Sequence, residues 1–164
     1  MALTTRVAIR LTAQQTSVLD LVSALAPFDI SQAREFSDGA GGNQANKIWS
    51  DERTLTTGAV EDLDFNGGAL VDALGVTVVL AKLKGILILS LSSNTTDLTL
   101  FGDANSIPIL NTAATTITLP PGGIFLYMDP SAAGRTVTAA TGDIIQIANA
   151  AGNSAVYRIV VWGA

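Results

Sequence analysis

Beyond Asn66 the chain is cut by turn-forming residues at short intervals, and that punctuation limits it to short extended segments. The marks are Gly75, Ser92-Ser93-Asn94, Gly102-Asp103-Ala104-Asn105, Pro120-Pro121-Gly122-Gly123, Asp129-Pro130, Gly134, Thr141-Gly142-Asp143 and Ala151-Gly152-Asn153. Short apolar runs lie between them, at Leu98–Phe101, Thr116–Leu119 and Ile124–Met128 and at residues 137–139, 144–148 and 155–162. Such spacing predicts an all-β chain folded as an antiparallel β-sandwich or jelly roll. Pro121 and Gly122 suit the central positions of a type II turn.

The N-terminal part reads less simply. Arg6-Val7-Ala8-Ile9-Arg10-Leu11 alternates, as a half-buried strand does. Val18, Leu21, Val22 and Leu25 fit a helical face capped by Thr16 or Ser17, but that stretch runs into Pro27. Residues before proline avoid the α region, so strands are the favoured reading. The Gly-rich residues 39–46 read as a flexible connector. They divide an extended N-terminal arm with the first strands (residues 1–45) from a sandwich domain (residues 46–164). Residues 44–51 fit either a helical turn or a packed loop. Alternation resumes at residues 54–65 and stops at Asn66-Gly67-Gly68. Residues 73–91 form the longest apolar run. Lys82 and Lys84 in its middle would each cost about 2.5–3.5 kcal/mol at a bilayer centre, so a buried strand pair is expected there. The opening Met1-Ala2-Leu3-Thr4-Thr5-Arg6 lacks the basic head and apolar stretch of a signal peptide.

Composition narrows the chemistry. With 0 His and 0 Cys, a Ser–His–Asp relay, a cysteine nucleophile, a histidine base and the usual zinc site are all excluded. The net charge of −5 argues against direct nucleic-acid binding, which needs a basic stripe. Asp62-Leu63-Asp64-Phe65-Asn66-Gly67 matches the opening of a calcium loop, but Ala73 stands where a bidentate Glu belongs. Leu63 and Phe65 also read as core, so the segment is expected to be a strand closed by a glycine turn. The remaining carboxylates fall mostly at turns, where Asp is favoured for its own backbone hydrogen bonds. No enzyme activity, cofactor or metal is therefore expected.

What does stand out is low charge on an apolar chain. Charged residues make up 14% and hydrophobic residues 48%, against about 25% charged in average proteins. That balance points to protein–protein burial, in a homo-oligomer or larger assembly. Arg6, Arg10, Arg34 and Arg53 make the N-terminal third the more basic part, and Arg6, Arg10 and Arg34 are candidate contacts for a partner. In the last strand Tyr157, Ile159 and Val161 share one face; Val156, Arg158, Val160 and Trp162 share the other. Both faces are largely apolar, so the second one packs either in the interior or on another subunit. Arg158 and Trp162 are the interface candidates there. Ile144 and Ile159 are expected to be buried.

Several strings together resemble small virion proteins of tailed bacteriophages. They are Asp51-Glu52-Arg53-Thr54-Leu55, Glu61-Asp62-Leu63-Asp64, Asp72-Ala73-Leu74-Gly75, Lys82-Leu83-Lys84-Gly85, Pro121-Gly122-Gly123, residues 137–143 and Ala155-Val156-Tyr157. The resemblance covers most of the chain from about Gly39 onward. It implies a particle component located in the virion, at the capsid surface, and specifically a capsid decoration (cement) protein that stabilises the assembled shell as a homotrimer. Its partners would be further copies of itself and the major capsid protein or other virion proteins, with no direct nucleic acid and no membrane. The arm, with Arg6, Arg10 and Arg34, would lie along the shell or swap between subunits. A tail, collar or fibre-base protein is the alternative. A carbohydrate-binding module is another, and would need a platform made from Trp49, Tyr127, Tyr157 or Trp162.

Overall fold

The computed structural model describes residues 2–110, 115–150 and 152–164, and every strand among them pairs antiparallel. Met1 and Ala151, named in the sequence reading, lie outside the described residues. No helix forms among those described; the chain is all-β.

From Lys47 onward the pairing is nested. The outermost pair joins β3 (Lys47–Leu55) to β11 (Ala155–Gly163), and the next joins β4 (Val60–Asp64) to β10 (Ile144–Asn149). Inside these, β5 (Lys82–Ser90) meets β8 (Ile124–Met128), and β6 (Leu98–Phe101) meets β7 (Thr116–Leu119). The segment is thus one long ribbon doubled back between β6 and β7. It is rolled so that β11 also pairs β5 and β10 also pairs β6. Two sheets result, ordered β4-β10-β6-β7 and β3-β11-β5-β8, with the short β9 (Arg135–Thr136) beside β5.

The pleat gives each sheet one apolar face, and both faces feed a single core. Leu63, Leu98, Leu100, Ile145 and Ile147 come from one sheet, and Trp49, Ile86, Ile88, Ile159 and Val161 from the other. Edge-to-face ring pairs lock the packing, Trp49 on Phe65 at 5.5 Å and Phe101 on Phe125 at 5.4 Å. Tyr157 is buried with its hydroxyl donating to Glu61 Oε2 at 2.7 Å, and Glu61 is paired in turn with Arg53. Burial first, and then the bond to Glu61, pushes the Tyr157 hydroxyl well above its ordinary pKa, so it remains a donor. Ile144 departs from expectation: it is half-buried on the opposite side of β10 from Ile145 and Ile147.

Three other expectations change for local reasons. The run 54–65 is two strands, because Gly58 at φ 67 and the Ala59 amide bonded to Thr56 O close a turn between β3 and β4. The run 73–91 holds one strand, β5, and not a strand pair. Asp72 Oδ1 accepts the amides of Leu74 and Val76, both at 2.9 Å, and leaves a loop with one isolated bridge, Val71 to Thr77. The segment 39–46 is a folded loop and not a loose connector, and residues 44–51 are neither helical turn nor packed loop throughout, since β3 begins at Lys47. Ser37 bridges Gln44, the Gly41 amide donates to Gln44 Oε1 at 2.7 Å, and the Asn43 amide reaches Pro130 O at 2.8 Å.

Lys84 ties that loop down. Trp162 pairs with Gly85 and Gly163 pairs with Leu83, so Lys84 is the extra residue of a β-bulge. The bulge lets Leu83 and Ile86 both enter the core while the fully buried Lys84 is aimed elsewhere. Its ammonium donates to the carbonyls of Gly41 (3.1 Å), Ala132 (3.2 Å) and Ser131, which uses all its protons. Burial, with Lys82 nearby, holds its pKa below the ordinary lysine value; Asp129 acts in the opposite sense. Lys84→Met should strip the Gly41 and Ser131 carbonyls of this donor, while Ala132 O keeps Lys82 Nζ at 3.1 Å, and should cost about 2 kcal/mol, a fall of about 6 °C in Tm. Limited proteolysis should then cut first at the loop around Gly41.

The Asp62–Gly67 string forms the expected strand and turn. Leu63 and Phe65 are buried, Asp62 accepts from Gln146 Nε2 at 2.8 Å, and Asp64 Oδ1 accepts the amides of Asn66 (2.9 Å) and Gly67 (2.6 Å). Pro121-Gly122 also forms the expected turn, with Gly122 at φ 74 and the Gly123 amide on Pro120 O at 2.8 Å.

Candidate interaction surface

The N-terminal segment forms a two-stranded sheet of its own. Strands β1 (Thr5–Val18) and β2 (Ser23–Phe36), 14 residues each, pair with one another from Thr5–Phe36 to Val18–Ser23. The Leu19 amide bonds Val22 O at 2.9 Å to close the tip. The segment around Leu21 and Leu25 is therefore extended, as the proline argument favoured. Pro27 is tolerated because both strands of a two-stranded ribbon are edges.

Register gives the hairpin two unlike faces. One carries Val7, Ile9, Leu11 and Ala13, opposite Arg34, Gln32, Ile30 and Phe28 in turn. The other carries Arg6 opposite Glu35 and Arg10 one step from Asp29, with ion pairs of 3.4 and 2.6 Å. The Asp29 carboxylate raises the pKa of Arg10. Two of the arginines expected to face a partner are therefore engaged across their own hairpin. Arg34 sits on the apolar face, opposite Val7.

Residues 8–35 are exposed throughout, on both faces. Only the root is held. Phe36 and Val7 pack with Trp162, 2% exposed, on the outer side of the β3-β11-β5-β8 sheet, and the rings of Phe36 and Trp162 meet edge-on at 6.0 Å. Trp162 thus lies outside the main core, in a small separate cluster under the hairpin root. Gly85, its neighbour on β5, leaves the space its ring occupies: a Cβ there would lie 2.0 Å from the indole.

The outer side of this sheet continues as an apolar field. Register aligns Val160, Leu87 and Leu126 in one row and Arg158, Leu89 and Ile124 in the next. The hairpin root overhangs this field and leaves an open groove of about 840 Å³ between them. Arg6, Arg10 and Trp162 line the groove; Arg158 lies beside Leu89 and Ile124 at its far end, with Nε 2.5 Å from Glu52 Oε2. The structure so gathers Arg6, Arg10, Arg158 and Trp162 around one surface and leaves Arg34 on the hairpin. Sequence reasoning missed Leu87, Leu89, Ile124 and Leu126. Their signal is that β5 and β8 are apolar on both faces, a pattern that burial within the fold produces equally well.

The aromatic residues named for a sugar platform are mostly withdrawn from the surface. Trp49, Tyr157 and Trp162 are buried, and the half-buried Tyr127 receives the Arg135 Nε–H at 2.6 Å. The same bond is the main reason the pKa of Arg135 is raised. No protein-family model matches the chain, and no curated protein matches it.

Proposed function

We propose that this chain is a structural protein of a tailed-phage virion, a capsid decoration (cement) protein that binds the assembled shell as a homotrimer and stabilises it. In this reading residues 47–163 are a jelly-roll sandwich and the β1–β2 hairpin is its N-terminal arm. The nested pairs support the first part. Numbering the eight long strands from β3 to β11 without β9 gives sheet orders 1-8-3-6 and 2-7-4-5, which two Greek keys rolled from one ribbon generate. The resemblance of the turn and strand-end strings to small phage virion proteins supports the trimer and the location.

One observation carries the functional reading: a hairpin of 14-residue strands that is exposed on both faces and apolar on one. An isolated two-stranded hairpin is marginal in water, so an exposed one of this length is an element built for contact beyond its own subunit. The mechanism is mass action. A subunit that binds only the assembled shell stabilises it by about 2.7 kcal/mol per site at a hundredfold excess over Kd.

Cryo-electron microscopy of the phage that encodes the chain, with calorimetry of its shells with and without the protein, tests this. Many copies over the shell and a raised shell melting temperature are expected. A ring of copies at one vertex would instead make it a tail or collar protein, and absence from the particle would end the reading.

A further inference from the structure

We propose that the open groove on the outer side of the β3-β11-β5-β8 sheet is the seat for the distal half of the β1–β2 hairpin of a second copy. This deepens the reading of the hairpin as an assembly element and does not depend on which particle, if any, it serves.

Length argues first. From Trp162 to the far end of β11 the sheet offers about 24 Å, whereas β1 runs about 37 Å beyond Val7 before its tip turn. Even laid along it the hairpin would overrun its own sheet, and residues 8–35 are exposed on both faces. Residues near the tip, among them Val18, Leu21, Val22 and Leu25, lie past anything their own chain supplies. The groove is left unfilled while Ile124 at its mouth is 68% exposed.

Shape agrees. The distal hairpin, about 27 Å long and 10 Å wide, matches the roughly 30 Å of a nine-residue strand in the receiving sheet. Laid with its apolar face on the sheet it covers roughly 270 Å² in outline on each partner, and a closed ring repeats that contact at every joint. The apolar field is continuous with the Phe36–Trp162 cluster, so an inserted hairpin extends packing that already exists.

Self-complementarity points to a copy of this chain as the partner. Each subunit carries one apolar ribbon and one apolar groove. Arms passed head to tail around a closed ring satisfy both, whereas an unrelated partner on either surface leaves the other open.

The chain has 0 Cys, so single cysteines report cleanly. Ala26→Cys lies on the apolar hairpin face, and Ser50→Cys lies beside Val160 on the sheet. The two variants, differently tagged, would be mixed, unfolded and refolded together, and treated with a bis-maleimide of about 10 Å reach. Adducts between the two tags should dominate over adducts within either by at least fivefold. Leu11→Ser with Phe28→Ser, both exposed in the single chain, should shift the mass by light scattering to that of a monomer without changing the circular dichroism. A monomeric parent chain overturns the proposal, as does a parent oligomer linked only through Ala26→Cys to Ala26→Cys. The two readings fail separately. A monomer that still coats the shell removes the arm exchange and the trimer but keeps the shell-binding role, and an arm-exchanged ring that ignores the shell removes the virion role alone.

Discussion

Ile159→Asp should give a chain with no cooperative thermal transition and no strand signal by circular dichroism. Ile159 is 1% exposed in β11, flanked by β3 and β5 and set between Asp51 and Ile88. Truncating an aliphatic residue in such a place costs about 2–5 kcal/mol. Burying a carboxylate with no partner adds several more. Their sum is comparable with the whole stability of a domain, about 5–15 kcal/mol. Ile159→Val, which removes one methyl and introduces no charge, should cost about 1 kcal/mol. Ile144→Thr should cost a similar small amount, because Ile144 is half-buried on the side of β10 away from the core. A folded Ile159→Asp would mean that β11 is not central. An Ile144→Thr as damaging as Ile159→Asp would mean that the inward face of β10 has been misjudged.

The contrast between these two isoleucines shows where sequence was legible. Strands β6, β7 and β8 could be read to the residue, because short apolar runs between turn residues have only one economical conformation. The Pro121-Gly122 turn was equally plain, since its second central position requires a positive φ and Gly122 provides one. Alternation alone placed Tyr157, Ile159 and Val161 on a common inward face.

What alternation could not show is where its phase slips. The bulge at Lys84 adds a residue that no pattern of apolar positions announces, and it turns a lysine read as a bar to membrane burial into a clamp on the 39–46 loop. Asp72 likewise keeps the start of an apolar run out of the sheet by capturing amides with its own side chain. The candidate site was half visible. Arg6, Arg10, Arg158 and Trp162 were named, yet what joins them is the alignment of β11, β5 and β8 on the outer side of one sheet. That alignment follows from nested long-range pairing, which has no local signature. The ion pairs of Arg6 and Arg10 were hidden for the same reason, since Glu35 and Asp29 face them only once the hairpin register is set.

Excising the distal hairpin should separate folding from assembly more sharply than any point substitution. Arg10 and Ser31 are cross-strand partners, so an Asn-Gly pair replacing residues 11–30 closes the shortened ribbon through a two-residue turn of the favoured hand. Every residue removed is exposed, and none belongs to either buried cluster. The melting temperature of the remaining chain should therefore stay within about 2 °C, because surface changes away from the core rarely exceed 0.5 kcal/mol. Binding to shells should weaken by at least a hundredfold, read by co-sedimentation, and light scattering should report a monomer. The root must stay, since Val7 and Phe36 cover Trp162; cutting back to Asn43 would expose that indole and lower stability as well. If the shortened chain binds shells as tightly as the parent, contact runs through the surface of the two-sheet domain. The exposed ribbon would then need some other occupant, because apolar residues such as Phe28 and Ile30 on a ribbon that cannot hold itself together in water are stable only when something covers them.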